Sequence, residues 1–145
     1  MVSRTKEELK RHALDIIKEW ILRDDDEFPL VLMDLQLEEY PNEIPNNVKY
    51  LVLDDNYISH IPSLPSGLIT LNIFGNKLMS LPELPITLRE LDCDCNLLKR
   101  LPTLPSSLRI LDCRNNELLS YPGDGETIKE YNERVQAMQN IFLSS

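Results

Sequence analysis

The sequence predicts an α/β solenoid: short parallel strands stacked into a concave sheet, an extended convex side, and a helix closing each end. Three observations predict it. Asparagine recurs as Asn56, Asn76, Asn96 and Asn116. Leucine keeps the same register as Leu51, Leu71, Leu91 and Leu111, and proline recurs as Pro62, Pro82, Pro102 and Pro122 and again as Pro65, Pro85 and Pro105. Both chain ends lack this period and instead carry apolar residues at helical steps. A 20-residue interval held through successive copies is a stacking period, because one such unit cannot bury its own apolar face.

The bulk properties bound the reading. A chain of 145 residues is long enough for one domain, 1–145, and short for two. A net charge of -9 excludes nucleic acid and an anionic membrane surface as natural partners, since both need clustered Lys and Arg. A protein partner with a basic patch is the better counterion. Cys93, Cys95 and Cys113 form an odd set without CxxC spacing, which excludes a disulfide framework or zinc site and points to a reducing compartment. No apolar h-region follows the N-terminal Met-Val-Ser-Arg, and no apolar run approaches membrane-spanning length. A soluble, cytoplasmic protein is expected.

Within each repeat the residue types have separate jobs. Leu51-Val52-Leu53 alternates inward and outward as a short strand does. Leu51, Leu53, Ile58, Ile61 and Leu64, with Leu71, Ile73, Leu78, Leu81 and Leu84 one copy later, are the expected core. Burying each contributes about 1.5–3 kcal/mol. The Asn follows the strand, where an amide can satisfy loop backbone of its own and adjoining rungs. The Leu-Pro-x-Leu-Pro arm fixes φ, removes N–H donors and disfavours helix before each proline, so the convex side is expected to be extended. An imperfect first copy carries Leu30, Leu32, Leu37, Tyr40, Pro41, Ile44 and Pro45, with Asn42 as one inserted residue and Leu35 in place of the Asn. Five rungs over 30–122 result, the last truncated after Pro122.

The ends of a short solenoid expose an apolar cross-section that needs cover. Thr5 and Glu8 have capping-box spacing, and Leu9, Ala13, Ile16, Ile17, Trp20 and Ile21 share one helical face, which predicts a cap helix over 5–22. The run Asp24-Asp25-Asp26-Glu27 then reads as a solvated turn. Gly123-Asp124-Gly125 breaks the repeat, Thr127 and Glu130 repeat the capping-box spacing, and Ile128, Tyr131, Val135, Met138 and Phe142 form an apolar stripe. A second cap over 126–143 is expected.

The segments Leu81-Pro82-Glu83-Leu84-Pro85 through Asn96 and Leu101-Pro102-Thr103-Leu104-Pro105 through Asn116 resemble the bacterial LPX class of leucine-rich repeat, the class of YopM and of the repeat domains of the IpaH and SspH effectors. They are also similar to short leucine-rich-repeat proteins of giant DNA viruses. The resemblance covers about residues 30–122 and is specific to repeat type rather than to a target. It implies a curved scaffold that holds a protein partner in the host cytosol, and an N-terminal helix that caps the repeats. It also suggests a substrate adaptor for a separate ubiquitin ligase, since IpaH and SspH carry a ligase domain after their repeats. No such domain is expected in these 145 residues, and Cys93-Asp94-Cys95 lies within a repeat and is not the ligase Cys-x-Asp motif. A self-associating structural protein is the other alternative.

Function is expected on the outward strand positions, which form three columns. Tyr50, Thr70, Glu90 and Ile110 make the first; Val52, Asn72, Asp92 and Asp112 the second; Asp54, Phe74, Asp94 and Arg114 the third. Tyr50, Phe74 and Ile110 are apolar groups with no core behind them, of the kind that anchors recognition. Asp92 and Asp112 sit on neighbouring rungs, Asp54 and Asp94 flank Phe74, and Arg114 is expected beside Asp94. Two carboxylates do not supply the six to eight oxygens of a calcium site, so no metal is expected. Cys93 and Cys113 take the inward position of Leu53 and Ile73 and act as small hydrophobes, while Cys95 lies outside that column. His12 and His60 have no Ser or Cys partner at a defined spacing, and Gly67 and Gly75 belong to no phosphate-binding loop. No catalytic residue and no cofactor are expected.

Overall fold

A computed structural model describes residues 4–144. Helix α1 (Lys6–Arg23) is followed by five short strands and a closing helix: β1 (Leu30–Val31), β2 (Tyr50–Val52), β3 (Thr70–Asn72), β4 (Glu90–Asp92), β5 (Ile110–Asp112) and α2 (Ile128–Leu143). The strands make one parallel sheet in the order β1-β2-β3-β4-β5. Leu51 pairs with Leu71, Leu71 with Leu91 and Leu91 with Leu111, so residues 20 apart lie directly over one another. Leu30 pairs with Leu51. That 21-residue step fits a single insertion in the first copy.

The inward columns make one continuous core. Leu30, Leu51, Leu71 and Leu91 are buried, as are Leu53, Ile73, Cys93 and Cys113 in the neighbouring column. A further buried column, Val48, Leu68, Leu88 and Leu108, precedes the strands. In all four its amide donates back to a proline carbonyl, with Val48 to Pro45, Leu68 to Pro65, Leu88 to Pro85 and Leu108 to Pro105 at 3.0–3.3 Å. The return arms carry no helix among the described residues. Proline explains this, because it supplies no N–H to a helical ladder.

The asparagines form the interior ladder. Asn76 Oδ1 accepts the Ile58 amide at 3.0 Å, while its Nδ2 donates to the carbonyls of Leu53, Ile73 and Phe74. Asn56, Asn96 and Asn116 repeat the arrangement, each tying its own rung to the one before. The first rung has no predecessor, and Leu35 at that position packs against the core instead.

The two helices do unequal work. Thr5 and Glu8 close a capping box at the start of α1, and Leu9, Ala13, Ile17 and Trp20 are buried over the first rung. Trp20 Nε1 donates to the Phe28 carbonyl at 2.7 Å, and the Arg23 guanidinium lies 3.8 Å over the Phe28 ring. Ile21, expected on the buried face, is exposed. Nor is the acidic turn merely solvated: Lys49 pairs with both Asp26 and Glu27 and draws it toward β2.

Thr127 and Glu130 close the capping box of α2, but Tyr131 is its one buried residue among those described. Ile128 and Val135 pack partly against the core, whereas Met138 and Phe142 are exposed, so the expected stripe is covered only in its first half. Asn132 anchors the helix by accepting the Leu104 amide at 3.0 Å and donating to the Leu104 carbonyl at 2.8 Å.

Candidate functional site

Alternation along each strand sends every second side chain away from the core, and parallel stacking in register turns those side chains into columns. The first holds Tyr50, Thr70, Glu90 and Ile110; the second holds Val52, Asn72, Asp92 and Asp112. All eight are at least partly exposed, and Ile110 is the most open of the apolar ones at 57%. The first rung extends the face with Val31, paired with Val52, and with Met33, which the sequence reasoning did not include. Its signal was available. The same offset that aligns Leu30 with Leu51 places Val31 and Met33 in line with Val52 and Asp54.

The third column departs from expectation. Phe74 is half-buried and Arg114 exposed, but Asp94 is only 7% exposed. Asn115 Nδ2, on the next rung, donates to Asp94 Oδ1 at 2.9 Å. Asp94 is therefore a structural residue of the loop. Arg114, expected beside Asp94, instead clamps Asp112 through Nε at 2.9 Å and Nη2 at 2.6 Å.

Several carboxylates of this face also serve the backbone. Asp54 Oδ1 accepts the Phe74 amide at 2.9 Å, Asp92 Oδ1 accepts the Asp94 amide at 3.1 Å, and Asp112 Oδ1 accepts the Arg114 amide at 3.3 Å. Each third-column N–H from Phe74 onward thus finds a side-chain partner. The acids lie within this rigid framework rather than swinging free.

Burial raises the Asp92 carboxyl above the usual carboxylate range, and the charges of Asp112 and Asp94 add to the effect. Burial likewise raises Asp54. The Arg114 hydrogen bonds act oppositely on Asp112 and lower it. Ionisation of Asp54 and Asp92 is therefore disfavoured, and a cation brought to the face would favour it.

Immediately after the third column the chain turns left-handed in every rung. Asp34, Asp55, Gly75, Cys95 and Asn115 have φ of 54°, 53°, 65°, 54° and 47°. Asp, Asn and Gly tolerate this region and redirect the chain toward the interior asparagine. A side chain at Gly75 would place its Cβ 2.7 Å from Asp55 Oδ1. Cys95 is the one residue of the column ill-suited to this backbone.

Other candidate chemistry does not converge. Among the described residues no group of three His, Cys, Asp or Glu side chains could hold a metal ion, and all three cysteines are unpaired. Burial pushes the Cys113 thiol up to about 11 and the Cys93 thiol higher still. His12 and His60 both lie on the exposed surface. No helix of the described residues is long and apolar enough to cross a membrane.

Among solved structures, the chain is similar to the leucine-rich-repeat domain of a Shigella effector. The two are 34% identical, the match covers 78% of this chain and 50% of that one, and the TM-score is 0.73. YopM from Yersinia enterocolitica is 32% identical over 61% of this chain and 24% of its own, with a TM-score of 0.47. This chain therefore spans half the length of the Shigella structure. No family model matches the sequence, and no curated protein matches it.

Proposed function

Because the chain is a leucine-rich-repeat protein resembling bacterial effector repeat domains, we propose that it binds a protein partner on the concave face of its sheet. One observation carries the reading: Val52, Phe74 and Ile110 project from backbone-bonded rungs away from the core, beside Glu90, Asp92 and Asp112. Apolar groups ringed by charge on a rigid support are what a recognition surface requires. Rigidity matters because side chains already fixed by the rungs lose less freedom on binding. Tyr50, Asn72, Asp54 and Arg114 border this patch, while Asp94 supports it from within. Three unpaired thiols suit a reducing compartment, and we assign the protein to the cytosol.

The test is co-purification from the source cells with the intact chain and three variants. Phe74→Ala and Glu90→Lys alter the concave face, and Ile86→Ala alters the return arm, where Ile86 is 86% exposed. The partner is expected to be lost from the first two and retained by the third. Retention by all three variants, or loss through Ile86→Ala alone, would place the binding surface elsewhere.

A further inference from the structure

The concave face is divided into two chemically unlike halves. On the first three rungs Val31 lies in line with Val52 and Met33 in line with Asp54, 39% and 46% exposed, with Tyr50 and Phe74 on the rungs that follow. Asp54, the one carboxylate in these columns there, accepts the Phe74 amide. On the last two rungs the face carries Glu90, Asp92 and Asp112. Arg114 clamps Asp112 and offsets the charge of Asp92 only in part, since Asp92 stays raised. Ile110 is the apolar exception in the acidic half. It offers the alkyl stem of a long cationic side chain a surface to lie along.

Resting on the concave-face reading above, we propose that the occupant is an amphipathic helix of a partner protein. It lays apolar side chains over the first three rungs and Lys or Arg, on the same helical face, over the last two. The dimensions support a helix. Columns one and three are four residues apart along the strand, about 13 Å at roughly 3.3 Å per residue. A helix about 10–12 Å across fills that width. A single extended segment would leave outer columns uncovered. From first rung to last the sheet runs about 19 Å at roughly 4.8 Å per strand, which about 13 helical residues span.

The electrostatics support the cationic end. Glu90, Asp92 and Asp112 crowd adjoining rungs, and burial with neighbouring negative charge already raises Asp92. A guanidinium or ammonium group there relieves repulsion that the free protein retains. An anionic or wholly apolar helix would leave Glu90 and Asp92 desolvated without a cationic partner, which is costly.

The probe is a synthetic stapled helix of about 14 residues with Leu in its first half and Lys in its second, on one face. An isomer of the same composition with Leu and Lys interleaved is the control. Binding to the intact chain is read by fluorescence anisotropy at two salt concentrations. The block peptide is expected to bind about tenfold more tightly than the interleaved one. Glu90→Lys is expected to remove about that factor and flatten the salt dependence. Met33→Glu should weaken the apolar end, and Ile86→Ala should change nothing; unchanged melting shows that each variant is folded. Equal binding of the two peptides, or indifference to Glu90→Lys, overturns the proposal. A natural partner lost through Phe74→Ala while the block peptide fails to bind would sink the helix chemistry alone. Block-peptide binding that neither Glu90→Lys nor Met33→Glu weakens would sink the concave reading as well.

Discussion

Asn76 shows how much one side chain holds in this architecture. It satisfies the buried Ile58 amide and shares its two N–H donors among three carbonyls on two rungs. Asn76→Ala orphans the buried Ile58 amide, at about 1–3 kcal/mol, while the Leu53, Ile73 and Phe74 carbonyls each lose one donor and keep another, from Asn56, Asn96 and the Asp55 amide. A loss of about 3 kcal/mol in urea-melt stability is expected. Asn116→Ala, in the half-exposed last rung, should cost visibly less. Cys95 argues the other way. Its φ of 54° strains a residue with a Cβ, and Cys95→Asn should stabilise the fold by about 1 kcal/mol in the same melt.

Asp92 separates function from stability at this scale. A carboxyl raised on folding favours the protonated form, so its contribution to stability falls as pH rises through the folded value. Asp92→Asn removes the charge yet keeps an oxygen for the Asp94 amide. The variant is expected to melt higher than the parent at neutral pH, by calorimetry. A lower melting temperature would show that the charge stabilises the fold. The burial of Asp94 was not legible in the sequence, because its carboxylate is bonded by Asn115 from the next rung, whereas strand alternation alone predicts an exposed side chain.

At the scale of elements, the helices were legible in their capping boxes and stripes. What could not be read was how far each stripe would find something to cover. The α1 stripe meets the first rung along most of its length, whereas α2 packs on the core only through its first half, from Ile128 to Val135. Arg134 fixes the approach to α2 by binding Glu126 through Nε at 2.7 Å, the Tyr121 carbonyl at 3.0 Å and the Ser120 hydroxyl. The Arg134 guanidinium and the Gly123 amide, both bonded to Glu126, lower its carboxyl from 4.5 to about 2. A depressed acid contributes stability that is complete above its unfolded value and lost as pH falls toward the folded one. Docking of α2 should therefore weaken between about pH 4.5 and 2. Hydrogen exchange of the α2 amides should report the loss before the α1 amides respond. Glu126→Gln should abolish this pH dependence.

For the whole molecule, register was the most legible property, since a period of twenty leaves a stacked coil few alternatives once Asn and Pro recur in phase. The binding face was legible in its columns from Tyr50 onward. Its apolar half was not, because the insertion at Asn42 disguises the first copy and the eye falls on Leu30 and Leu32 rather than on Val31 and Met33 between and after them. The buried column from Val48 to Leu108 escaped for a related reason: it lies outside the strand, in the turn after the prolines. Stacking also makes the chain's stability a sum over neighbouring rungs. The strong α1 cap and weakly covered α2 end predict that unfolding begins at the C-terminal end.

The central claim is that the concave face, and not the return arms or helices, meets the partner. Its most direct test places a photocrosslinking phenylalanine analogue at Phe74 in one protein and at Ile86 in another, each irradiated in the source cells. The account predicts one discrete adduct from position 74 and none of that mass from position 86. The same adduct from position 86, with none from position 74, would contradict it.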